Sequence, residues 1–117
     1  MIIVGDIGNT ETKIYLIDKN NSIIKRINLN TNKISSLCLK KSLSKLKLKN
    51  KNIMKCLFCS VVPKSFNKIK TFLMKNYEIK CYELKTLNLN QLINIKVNFK
   101  QVGSDRLANA IGIINNK

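Results

Sequence analysis

The chain has no histidine and no tryptophan, a single proline, four glycines and only 6 acidic residues in 117. Each shortage narrows what the protein can be. Without histidine, a zinc site loses its usual nitrogen ligand, and the four cysteines are Cys38, Cys56, Cys59 and Cys81. Cys56-Leu57-Phe58-Cys59 has the C-x-x-C spacing, but it lies in an apolar, strand-like run with no second ligand pair, so core packing is the better reading. Four unpaired thiols suit a reducing compartment. No apolar stretch approaches the roughly 18 residues of a membrane span, and the apolar opening before Gly5 and Asp6 is too short for a signal peptide. The expected location is the cytoplasm, with no membrane partner.

Lysine is what the chain has in excess. The 22 basic residues against 6 acidic ones leave a formal charge of +16, a balance that draws proteins to nucleic acid. The basic residues are nevertheless scattered, arginine occurs only twice, and no aromatics interleave with the lysines to form a stacking platform. Lys, Asn and Ile dominate every part of the chain, which reads as a compositional drift and a solvated surface. A small basic nucleic-acid-binding protein stays open as an alternative, testable by the salt dependence of binding. Hydrophobic content of 44% argues for a globular fold of one domain.

Against that drift the rare residues stand out. Asp6, Gly8, Gly103, Asp105 and Arg106 fall inside two short motifs. The first, Asp6-Ile7-Gly8-Asn9-Thr10, follows the apolar residues 1–4 and leads into a second apolar run. A strand that ends in an Asp, breaks at a Gly and returns makes a turn whose N–H groups can face an anion. The Asp6 carboxylate there can hold Mg²⁺ or its waters, Thr10 offers a hydroxyl, and Lys13 can neutralise a phosphate oxygen. The simpler alternative is a hairpin in which Gly8 and Asn9 supply positive φ. The second motif is Gly103-Ser104-Asp105-Arg106-Leu107-Ala108-Asn109-Ala110. Ser104 can cap a helix whose first turn then projects an acid suited to act as a general base and an Arg fork for a carboxylate. An Asp favoured there only by the helix dipole is the plain alternative.

Periodicity predicts strands over residues 1–4, 13–18 and 22–28, the last two joined by a turn at residues 19–21. Thr31 or Asn32 is expected to cap a helix with Ile34, Leu37, Leu43 and Leu46 on one face. Residues 53–62 suit a strand buried on both faces, Pro63 a helix start, and Phe66, Ile69 and Leu73 its inner face. Residues 77–84 and 93–99 read as strands and residues 106–114 as a helix. The order is β-β-β-α-β-α-β-α, an α/β fold with a mixed sheet and helices against it.

Three segments together carry a resemblance. Residues 6–13, Cys59-Ser60-Val61-Val62-Pro63 and residues 103–110 resemble, in order and spacing, the motifs of type III pantothenate kinase. That family belongs to the acetate and sugar kinase, Hsc70 and actin superfamily, so the resemblance implies an RNase H-like, actin-like ATPase lobe. It further implies ATP-dependent phosphorylation of pantothenate, the first step of coenzyme A synthesis. Carried over by position, Asp6, Ile7, Gly8, Asn9, Thr10, Glu11, Thr12 and Lys13 would bind ATP phosphates, with Asp6 on Mg²⁺. Gly103, Ser104, Asp105 and Arg106 would bind pantothenate, with Asp105 the proton acceptor. Ser104 replaces the family's Ala, and Lys96 and Phe99 stand where the family has a Tyr and a Pro. Family members run to about twice this length. The 117 residues would therefore be an N-terminal lobe, and the adenine contacts and a monovalent cation site (K⁺ or NH₄⁺) would lie in a second lobe outside this chain. A homodimer is expected of the complete family member. A non-catalytic nucleotide-binding remnant is the remaining alternative.

Overall fold

The computed structural model describes residues 1–20 and 22–83. The expected strand at 93–99, the helix at 106–114 and the Gly103 to Arg106 motif lie outside the described residues. Within them the element order is β1 (Ile2–Ile7), β2 (Glu11–Ile17), β3 (Ile23–Asn30), α1 (Ser36–Leu43), β4 (Lys55–Ser60), α2 (Pro63–Tyr77) and β5 (Tyr82–Glu83), with short 3-10 turns at Thr31–Lys33, Ser44–Leu46 and Leu48–Asn50. The sheet order is β3-β2-β1-β4-β5. β1, β2 and β3 form an antiparallel meander, whereas β4 runs parallel to β1 and β5 parallel to β4. This is the expected mixed sheet, and β4 lies beside β1 because the β3-to-β4 connection through α1 is long enough for a crossover.

Alternation along the strands sorts the side chains. Ile3, Ile7, Ile14, Leu16, Ile27, Leu29, Cys56 and Phe58 join Leu39 and Leu43 of α1 and Phe66, Ile69, Phe72 and Leu73 of α2 in one core. Both helices therefore cover the same sheet face. On the other face Val4, Tyr15 and Leu57 are also buried, so β4, with five successive buried residues, is covered on both sides as its apolar run predicts. Phe58 crosses over Gly5 in the neighbouring strand, where an added Cβ would overlap its ring.

Several boundaries move. β1 runs on to Ile7 and β2 begins at Glu11, because Ile7 and Thr12 are buried and keep the two-residue period going past the polar residues between them. The helix expected from Thr31 starts instead at Ser36, where the Ser35 hydroxyl accepts from the Cys38 N–H at 3.2 Å. That start sets the helix phase so that Leu39 is buried and Leu37 is 77% exposed, correcting the expected inner face. α2 begins at Pro63 and extends through Tyr77, ending where Glu78 adopts the left-handed conformation at φ 57°. The strand expected from residue 77 is thus Tyr82–Glu83 among the described residues.

Candidate functional site

The parallel pairing of β1 with β4 brings two strand ends to one edge of the sheet. Asp6 lies opposite Lys13 of β2 and Cys59 of β4, and Ile7 opposite Ser60. Directly paired residues present their side chains on one face. Asp6 and Lys13 therefore share the face away from the helices, while Ile7, Thr12 and Ser60 turn to the core side. Asp6 and Lys13 are half-buried, and Asp6 Oδ1 is shielded from solvent.

β4 is knitted to β1 beyond the ladder. The Val61 N–H donates to the Ile7 carbonyl at 3.0 Å, and the Val62 N–H donates to the Ser60 hydroxyl at 3.0 Å. Those two bonds turn the chain out of the sheet, and Pro63, lacking an N–H, then occupies the first helical position without cost.

Between β1 and β2 the turn is tighter than its motif suggests. Residues 8–10 alone lie outside the strands, and the Gly8 N–H donates to the Glu11 carbonyl at 2.9 Å. Gly8 therefore spends its own N–H inside the turn. Neither Gly8 nor Asn9 has a positive φ, so the hairpin reading that needed one does not describe this turn. Gly8 is there for space: a Cβ would sit 3.2 Å from the Glu11 carbonyl oxygen. Asn9, Thr10 and Glu11 are exposed. Among the described residues the N–H groups of Asn9 and Thr10 have no partner in the chain, which leaves two backbone donors at the end of the Asp6–Lys13 face.

Thr12 and Ile7 contribute differently. Both side chains are fully buried, and Thr12 Oγ1 lies 2.8 Å from Thr31 Oγ1. The Thr31 hydroxyl donates to the Gly8 carbonyl at 2.8 Å, and the Thr31 N–H donates to the Thr10 carbonyl at 2.9 Å. Thr31 was expected only as a helix cap. Thr31 opens the 3-10 turn that follows β3, one residue past the strand end, and is buried there.

The cysteine spacing resolves geometrically. Cys56 and Cys59 are three apart in one strand and so lie on opposite faces of the sheet, where they cannot share a ligand. Cys56 instead meets Cys81, Sγ to Sγ 2.9 Å. Burial, with the adjacent Cys81 thiol, pushes the Cys56 thiol up, which keeps it protonated at neutral pH. Among the described residues no three His, Cys, Asp or Glu side chains gather as a metal cage, and no helix is long and apolar enough to cross a membrane.

Comparison with known proteins decides the family. Residues 2–117 match the sequence model of the family described as type III pantothenate kinase. The chain belongs to that family. Type III pantothenate kinase is also the name of a relative in Pelagibacter ubique (strain HTCC1062), 70% identical over 117 residues. The match covers all of this chain and 47% of the relative, so the chain spans about half the length of the curated relative it matches. For a type III pantothenate kinase sequence, the five-stranded mixed sheet with two helices is consistent with the actin-like ATPase lobe of the family. As a kinase family it implies use of ATP.

Proposed function

We propose that the chain is the N-terminal, ATPase-like lobe of a pantothenate kinase that transfers the γ-phosphoryl group of ATP to the primary hydroxyl of pantothenate. The observation that carries this reading is the sheet edge at which Asp6 and Lys13 face each other across β1 and β2 beside two unused turn N–H groups. A second lobe of similar size, outside these residues, completes the site and carries the adenine contacts and the monovalent cation. The complete enzyme works as a cytoplasmic homodimer on two water-soluble substrates.

In this reading the turn N–H groups and the Thr10 hydroxyl receive phosphate oxygens, and Lys13 neutralises one of them. A single carboxylate suits Mg²⁺, which keeps several waters and takes its remaining oxygens from phosphates. Asp6 would hold the ion directly or through water. Bound there, the ion offsets charge on the transferring phosphoryl group. Gly103, Ser104 and Arg106 hold pantothenate, and Asp105 takes the proton from its hydroxyl as that oxygen attacks phosphorus.

Asp6→Asn tests the phosphate end of this arrangement. The change keeps size and shape at the half-buried end of β1, so the melting temperature should stay within a few degrees. Calorimetric titration of the chain joined to its second lobe should show Mg²⁺-ATP binding weakened by at least about tenfold, a loss of about 1.4 kcal/mol. Equal affinity in variant and parent removes Asp6 from the metal site. Absence of pantothenate-dependent ADP release by the joined parent protein would leave a nucleotide-binding remnant. Binding to nucleic acid that weakens steeply with salt, with no ATP affinity, would favour the basic nucleic-acid binder.

A further inference from the structure

Two buried threonines, Thr12 at 0% and Thr31 at 5% exposure, meet at the base of the turn. Neither lies where a phosphate can touch it. Thr31 has one hydroxyl hydrogen, and the Gly8 carbonyl 2.8 Å away can only accept. Thr12 must then be the donor in the 2.8 Å bond between the two hydroxyls. The result is a directed chain, Thr12 O–H to Thr31 Oγ1 and Thr31 O–H to the Gly8 carbonyl, in which each bond polarises the next. The Thr31 N–H adds a second hold on the turn at the Thr10 carbonyl, 2.9 Å.

The consequence follows from peptide planarity. In a trans peptide the C=O and the following N–H point in opposite directions. Drawing the Gly8 carbonyl to the core side, where Thr12 and Thr31 lie, turns the Asn9 N–H toward the face that carries Asp6 and Lys13. The same anchor removes a carbonyl oxygen, with its negative end, from the place an anion would occupy. A loose turn could rotate that peptide and present the carbonyl instead, converting a donor site into a repulsive one.

We infer that Thr31, donating to the Gly8 carbonyl with Thr12 behind it, is a positioning residue that holds the turn with the Asn9 N–H directed at the phosphate of a bound nucleoside triphosphate. The inference rests on the reading of this edge as the phosphate site. Removing only the Thr31 hydroxyl would leave Thr12 unpaired in the core, so the informative variant is Thr12→Val with Thr31→Val. It removes both hydroxyls at once, so neither threonine position keeps an unpaired side-chain polar group, and only the part-buried Gly8 carbonyl loses its donor.

Two measurements separate the possibilities. The first needs no nucleotide: amide-resolved NMR should show the Gly8, Asn9 and Thr10 signals displaced or broadened in the double variant, with the rest of the spectrum that of the folded parent. Thr31→Ser, which keeps the hydroxyl, should leave those signals near their parental positions. Unmoved turn signals in the double variant overturn the inference, and so does equal disturbance by Thr31→Ser. The second is titration of the chain joined to its second lobe with Mg²⁺-ATP. A parent that binds and a double variant at least tenfold weaker, with Thr31→Ser within about threefold, supports it. Parental affinity in the double variant overturns it. A parent that binds no nucleotide, with the turn signals still displaced in the double variant, sinks the phosphate-site reading and the nucleotide role of Thr31 together while showing that the hydroxyl chain orders the turn.

Discussion

Gly5→Ala should lower the melting temperature of the chain by about 5–15 °C. Gly5 sits in the middle of β1, paired with Ile14 on one side and Phe58 on the other. A Cβ at that position would overlap the Phe58 ring on three of its carbons. The ring has nowhere to go: Phe58 is fully buried and its face meets Phe66 at 6.0 Å between centroids, tilted by 57°. Strain of this kind costs about 1–3 kcal/mol in a well-packed core. Ordinary strand propensity works the other way, since Ala for Gly in a strand interior gains about 0.5–1 kcal/mol. The overlap wins because it involves a ring locked on all sides. Circular dichroism melting checks the size, and a double change with Phe58→Leu checks the cause. If the two changes together destabilise by the sum of their separate effects, the Phe58 ring is not what Gly5 makes room for.

The same pair shows why parts of the fold were legible and others were not. β4 and α2 could be read because their signals are strong and local: an apolar run ending in Ser60, then Pro63 and the spacing of Phe66, Ile69 and Leu73. Asp6 meets the end of β4 because β4 pairs in parallel with β1 and not with β3, a crossover that the long connection through α1 allows. Helix α1 was misplaced because its register hangs on one capping serine, and Ser35 competes with Thr31 and Asn32, which are equally good caps by type. Once Ser35 caps, Leu37 must face water. The strand ends were drawn short at Val4 and Lys13 because polar residues there look like turn, yet Asp6 and Lys13 are outward members of a continuing alternation. Thr12 and Thr31 were the harder miss. Thr12 takes an inward position in β2, but Thr31 lies in the turn just past β3, and only the pairing of β2 with β3 carries that turn over Thr12, which is a tertiary fact.

Asp105→Asn, in the chain joined to its second lobe, should lower kcat by about 10²–10⁴-fold, the loss expected when a positioned proton acceptor is replaced by an amide that cannot accept the proton. The proposal makes Asp105 act on the pantothenate hydroxyl only as the oxygen attacks, so the KM for pantothenate should change little. Arg106→Lys separates binding from chemistry. If Arg106 holds a substrate carboxylate through two parallel bonds, a lysine ammonium supplies charge without the planar fork, and KM should rise while kcat stays within a few-fold. The opposing split is what gives the pair its force. A mere helix-start acid at Asp105 would cost some tenths of a kcal/mol of stability when neutralised and would leave turnover near the parental value, which a steady-state assay of ADP release detects directly. Should Asp105→Asn instead raise KM alone, the carboxylate binds substrate and the proton must leave by another route. Phosphoryl transfer makes that outcome informative as well. Its loose transition state depends more on positioning and charge than on proton removal, so the measured size of the Asp105 effect shows how far the proton has moved when the bond to phosphorus forms.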